Sequence, residues 1–221
     1  MKKQYLIAEF ATVFLFLVVP PLFVSNGNSS SNSFSFSTVI FAEAVVAFLL
    51  DFQFHYLNKN KDEHCEKKII SFAKYSSIFF ITFGSLVLVF ALFQLLSFLF
   101  PKITVGSLSS VILPCGFYEW CACVFMLLVG AYYEEVVYRF FVPENLYLIF
   151  GKSKNQKIII ELTAILLFAF SHMYLGFIAV INAAICGAIL RFCFVKTKSV
   201  YTGAFAHFLY NLGMYILFTF A

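Results

Sequence analysis

Charge is the first thing this chain is short of. Only 12% of its 221 residues are charged, about half the share usual in a soluble domain. That scarcity excludes an ordinary water-soluble fold. Other absences narrow the field. The six cysteines, Cys65, Cys115, Cys121, Cys123, Cys186 and Cys193, contain no CxxC pair and read as small buried hydrophobes. No H-E-x-x-H occurs, so the helix common to many zinc proteases is missing. There is no nucleotide-binding glycine pattern, no internal repeat and no second domain. The net charge of +4 is accounted for by membrane topology, so nucleic acid is not indicated.

What is present is hydrocarbon. Hydrophobic residues make up 62% of the chain, and 32 of them are Phe. Apolar runs recur from end to end, which predicts an all-α polytopic transmembrane bundle of about seven spans. The runs lie at about 5–24, 36–57, 76–100, 111 or 117 into the acidic stretch near 134, 158–173, 176–194 and 200–220. The first run follows Met1-Lys2-Lys3 and is interrupted by Pro20-Pro21; it is long for a signal peptide and no A-x-A-like site follows, so it reads as a retained span. Pro143 is expected to end or kink the fourth span. Residues 145–157 read as a mixed connection, partly an interfacial helix. N-terminal helices over 1–110 and a catalytic helical core over 111–221 are read as one integral domain. With a cytoplasmic N-terminus, fourteen Lys and Arg fall on one side of the membrane and only Lys102 on the other. That asymmetry predicts a multi-pass cell-membrane protein with its N-terminus inside.

Three polar constellations break the apolar pattern. The densest is Tyr132-Tyr133-Glu134-Glu135-Val136-Val137-Tyr138-Arg139-Phe140. One charge near the bilayer centre costs roughly 2.5–3.5 kcal/mol. Two acids and a base so close together must pair or do chemistry. Glu135 and Arg139 are four apart, acid first, and share a helix face as an ion pair. Glu134 points about 100° away, which leaves its carboxylate for another partner. Phe168 and His172 share a face in the fifth span, and His207 and Asn211 share one in the seventh. Taken singly, each has a plain structural reading: packing, an ion pair, interhelical glue. Glu161, eleven residues before His172, reads either as a helix-end acid or as lining a route to the site.

The set fits water activation. A desolvated carboxylate can take a proton from water with help from an imidazole. A second imidazole and an amide can donate to a developing oxyanion. Two His and one or two Glu could instead hold Zn²⁺ and polarise the same water. At this stage the cofactor is open: none, or Zn²⁺.

Glu134-Glu135-x-x-x-Arg139, Phe168-x-x-x-His172 and His207-x-x-x-Asn211, in this order, resemble the three motifs of the CPBP family. That family includes type II CAAX prenyl endopeptidases and bacterial Abi-type immunity proteins. The resemblance spans about 117–216. It implies an intramembrane endopeptidase acting on a membrane-associated substrate, either a lipidated C-terminus or a sorting tail. Glu134 would be the general base with His172 as its partner, and His207 and Asn211 would stabilise the oxyanion. Glu135, Arg139 and Phe168 would shape the site. The family mechanism is described both as glutamate-dependent and as metal-dependent. The alternatives carried forward are a non-proteolytic immunity or binding protein of the same fold and, ranked lower, a proton-coupled transporter.

One expectation conflicts with the rest. The span boundaries put Glu134 near the inner end of its helix and His172 near the outer end of the next, on the order of 20 Å apart in depth. A shared site requires those boundaries to move.

Overall fold

The computed structural model describes residues 3–22, 38–59, 72–100 and 113–220. The loops read at 25–33 and 103–110, and nearly all of the one at 58–68, lie outside these residues. Among the described residues every regular element is helical. Helix α1 covers residues 3–22 and contains a π-helical segment, Phe14–Val18. Helix α2 is Thr38–Lys59 and α3 is Phe72–Leu99. Helix α4 is Phe117–Phe150, with a second π-helical segment at Glu135–Phe141. Helix α5 is Lys154–Phe170, α6 is Phe177–Thr197 and α7 is Val200–Phe220. By length and apolarity α3, α4 and α6 qualify as membrane-crossing helices.

Helix α4 is the hub and packs against α1, α2, α5, α6 and α7. A core around it gathers Val136, Val137, Phe141 and Val142 of α4, Ala47 and Leu50 of α2, and Phe168 of α5. A smaller core joins α3, α6 and α7 through Leu86, Val89, Cys186, Leu190, Ala206 and Tyr210. The outward faces carry apolar side chains: Phe72, Phe98 and Phe117 are each more than four-fifths exposed. In water such a surface would be a severe liability, and in lipid it costs nothing.

Pro143 does not end α4. The helix widens ahead of it, and the N–H of Val142 bonds five residues back, to Val137. Proline has no N–H for the carbonyl four residues earlier, which is that of Arg139. A side chain serves that carbonyl instead: Arg191 Nη1 of α6 donates to it. Asn145 Nδ2 donates to the carbonyl of Phe141 at 2.9 Å. With these groups satisfied the helix runs on to Phe150, so residues 145–150 are helix rather than connection.

That extension removes the depth conflict. Sixteen residues separate Glu134 from Phe150, and sixteen separate Lys154 from Phe170. At 1.5 Å per residue α4 descends about 24 Å past Glu134 and α5 climbs about 24 Å back. A short connection starting at Gly151 and capped by Ser153, whose side chain accepts from Gln156 N, joins the two arms. His172 therefore returns level with Glu134. It follows the end of α5, ahead of the 3₁₀ turn Met173–Leu175, rather than lying inside a helix. Gly176 closes the turn with φ 100° and ψ 167°, a conformation essentially confined to glycine.

Candidate active site

Residues of all three motifs come together from α4, the end of α5 and α7. Glu135 Oε1 is 3.3 Å from Arg139 Nε, and both side chains are 1% exposed. The same oxygen lies 3.3 Å from His207 Nδ1 of α7. His207 Nε2 faces the neighbouring acid, 3.7 Å from Glu134 Oε2. The imidazole thus bridges two consecutive carboxylates, each nitrogen turned to one of them. Glu134 is the more open of the two, with its side chain 28% exposed against 1% for Glu135. This is the division of labour that the 100° offset anticipates: one acid is locked and its neighbour is available.

Phe168 is the ring around which the others stack. The Arg139 guanidinium lies over its face, 4.0 Å from the centroid. His172 meets it at 4.7 Å and His207 at 6.1 Å, both near edge-on, and Tyr138 packs at 5.5 Å. A desolvated cation–π contact of this kind is worth about 2 kcal/mol. It gives the terminal nitrogens of Arg139 a partner, since they make no hydrogen bond among the described residues. Phe168 links His172 to the Glu134–His207 pair.

His172 has a defined tautomer. Its Nδ1 is 2.9 Å from the carbonyl of Phe168. A carbonyl only accepts, so in the neutral ring Nδ1 carries the hydrogen and Nε2 the lone pair. Ser171 Oγ, 3.2 Å from the same nitrogen, donates to the same carbonyl at 2.7 Å. Asn211 lies one turn beyond His207 on the same face of α7 and is half-buried.

Glycine makes the closest approach possible. A Cβ at Gly203 would lie 2.8 Å from Glu135 Oε2, closer than such atoms tolerate. A missing side chain on α7 is what lets the locked acid seat against that helix. Around the open acid, Glu43 of α2, Tyr133 and Tyr138 of α4 and Tyr174 of the turn lie within electrostatic reach of Glu134.

Residues 116–213 match the family model described as type II CAAX prenyl endopeptidase Rce1-like. Over these 98 of the 221 residues, the chain is similar to that family. The match starts one residue before α4 and ends within α7, so it contains every motif residue. Rce1-like proteins are a protease family, which supports endopeptidase activity in general, and α3, α4 and α6 are long and apolar enough to cross a membrane. Comparison with curated proteins and with solved structures gives no match.

A structural or catalytic Zn²⁺ needs at least three protein donors at about 2.0–2.3 Å. Among the described residues no three His, Cys, Asp or Glu side chains converge in that way. Glu134 and His207 face one another, while Glu135 is engaged by Arg139 and His172 Nδ1 by a carbonyl. The Rce1-like side chains as placed do not form a zinc cage.

Several residues of the Rce1-like region escaped the sequence reading. Arg191 registers there only as one of the inside positives, yet it is 5% exposed and bound to Glu161. Glu161 lies within α5 rather than at its end, and both its oxygens are engaged by Arg191, at 2.6 and 2.7 Å. Gly203 and Tyr138 carried no signal, since a glycine or tyrosine within an apolar run is ordinary. For Arg191 a signal existed. An arginine within an apolar helix, with an acid in the helix before it, is costly unless the two pair.

Proposed function

We propose that this Rce1-like protein hydrolyses a peptide bond near the end of a membrane-associated substrate, a lipidated C-terminus or a membrane-tethered sorting tail, with Glu134 as the base. The observation that carries the reading is the pairing of a partly open Glu134 with His207 at 3.7 Å, beside a Glu135 that is 1% exposed and held by Arg139. Glu134 takes a proton from water as the water oxygen bonds to the scissile carbonyl carbon. His172 Nε2, the lone-pair nitrogen, accepts a hydrogen bond from that water and fixes its approach. The carbonyl oxygen gains the displaced electron pair, and N–H groups of His207 and Asn211 donate to it. On collapse the C–N bond breaks, and the proton held by Glu134 passes to the departing amine. The products are a carboxylate and an amine, and the base is restored. His207 is held beside the locked acid, its Nδ1 lying 3.3 Å from Glu135 Oε1.

The test uses purified protein in detergent with two probes: a fluorogenic farnesylated peptide ending in a CAAX motif, and an unlipidated peptide with a hydrophobic tail. Wild type is expected to cleave at least one. Glu134→Gln and His172→Ala should each lose on the order of 10²–10⁴-fold while inserting and melting normally. Full activity in Glu134→Gln would remove the proposal. Metal content measured on the same samples separates a base from a ligand, because loss of a base leaves it unchanged. A cytoplasmic N-terminus, and hence the side from which substrate enters, belongs to this proposal and rests on the basic-residue asymmetry.

A further inference from the structure

Arg191 sits at the crossing of α4, α5 and α6. Its Nε and Nη2 form a two-pronged bond to Glu161, at 2.6 and 2.7 Å. Tyr147 of α4 donates its hydroxyl to the same carboxylate at 2.6 Å. The third nitrogen, Nη1, donates to the carbonyl of Arg139. That carbonyl is the one for which Pro143 provides no N–H, and it belongs to the residue that pairs with Glu135 and covers Phe168. One guanidinium therefore ties α6 both to Glu161 of α5 and to the backbone of the π-segment of α4.

We propose that Arg191 is a positioning residue for the peptidase site. It acts through the Arg139 carbonyl and fixes the register at which the widened turn of α4 presents Glu134, Glu135 and Arg139 to α7. Only a planar fork can grip a carboxylate with one edge and reach a carbonyl with the remaining nitrogen; a lysine ammonium at the same place can satisfy one but not both. The inference rests on the proteolytic reading of Glu134 for its kinetic half, while its structural half can be read without catalysis.

Pro143 supplies the test. Pro143→Ala gives residue 143 an N–H that can bond the Arg139 carbonyl, doing the work of Nη1. Four full-length proteins are compared: wild type, Arg191→Lys, Pro143→Ala and the double variant. Melting temperature is measured on each, with kcat and KM on the farnesylated CAAX peptide. Arg191→Lys should melt lower and lose roughly tenfold in kcat, since small displacements of reacting groups are costly. Its KM should stay within about twofold, the pattern of a lost transition-state arrangement. Pro143→Ala alone should stay near wild type, and the double variant should recover at least half the kcat loss and part of the melting loss. Wild-type behaviour of Arg191→Lys, or an equal loss with and without Pro143→Ala, overturns the inference. If Arg191→Lys does not fold, Glu161→Gln loosens the anchor more gently. It should show a smaller kcat loss relieved by Pro143→Ala, and failure of that relief overturns the inference too. Coupling in melting temperature within a protein that cleaves neither probe upholds the carbonyl contact and overturns the peptidase reading instead.

Discussion

Glu135 shows how closely one residue can be constrained. Its two oxygens face Arg139, His207 and the bare backbone of Gly203. Gly203→Ala puts a methyl 2.8 Å from Oε2, closer than contact allows, and either the acid or α7 must move. The expected outcome is a loss of activity of at least tenfold, read as kcat on the cleaved probe, from a misplacement on the order of 1 Å. Phe168→Leu keeps an apolar group but removes the ring face beneath Arg139. It should cost about 2 kcal/mol, measured by reversible unfolding in mixed micelles, and should reduce activity as His172 loses its stacking partner. At this scale the acids, the two imidazoles and Arg139, which the structure brings around Phe168, were legible in sequence, because polar atoms in hydrocarbon announce themselves. Gly203 and Arg191 were not. A glycine's value here is the space it leaves, which depends on a helix seventy residues away. Arginine's was masked because a positive charge within an apolar helix also serves topology.

Helices in this chain survive proline by widening first and borrowing donors second. In α4 a π-segment precedes Pro143 and Arg191 serves the stranded carbonyl. In α1 the π-segment Phe14–Val18 precedes Pro20-Pro21, and Tyr133 donates to the carbonyl of Leu17 at 3.3 Å. Leu17 is four residues before Pro21, which has no N–H to offer its carbonyl. Tyr133→Phe should therefore destabilise the fold by about 1 kcal/mol, the usual value of a lost hydrogen bond, seen as a lower melting temperature with little change in KM. A second tie holds α2 to α4 and α7. Buried Asp51 accepts from Tyr132 at 2.8 Å and from Tyr201, whose rings stack at 6.0 Å. Asp51→Asn weakens both bonds and is expected to cost roughly 1–3 kcal/mol, again by melting. Apolar runs located the helices to within a few residues. The continuation past Pro143 was hidden because the rule that proline breaks helices assumes an α-helix and no outside donor, and neither holds here.

Among the described residues the molecule turns many apolar side chains outward and buries four charged ones, Asp51, Glu135, Arg139 and Arg191, while Lys74, Lys152, Lys154, Lys157, Lys196 and Lys198 are exposed. Arg139 and Arg191 are both buried, at 1% and 5% exposure. Without them the basic asymmetry still stands at twelve residues against one, so the orientation argument does not depend on them. It leads to a labelling experiment. Cys115 is exposed just ahead of α4, while Cys123, Cys186 and Cys193 are buried. A membrane-impermeant maleimide applied to intact cells should modify Cys115 and spare those three, as read by mass spectrometry. Labelling of Cys115 only after lysis would reverse the assigned orientation. The class of fold was legible from composition, whereas the meeting of Glu134 with His207 required the lengths of α4 and α5 to be known. Those lengths act as a ruler. One residue deleted from the lower part of α4 lifts the returning arm by about 1.5 Å and swings everything beyond it by about 100°. A matching deletion in α5, which runs the opposite way, restores the height and orientation of His172 but leaves it displaced sideways, because the two rotations are about separate axes. Changes in arm length are therefore tolerated only in whole helical turns taken from both arms together, whereas the 151–153 linker should accept added residues far more readily.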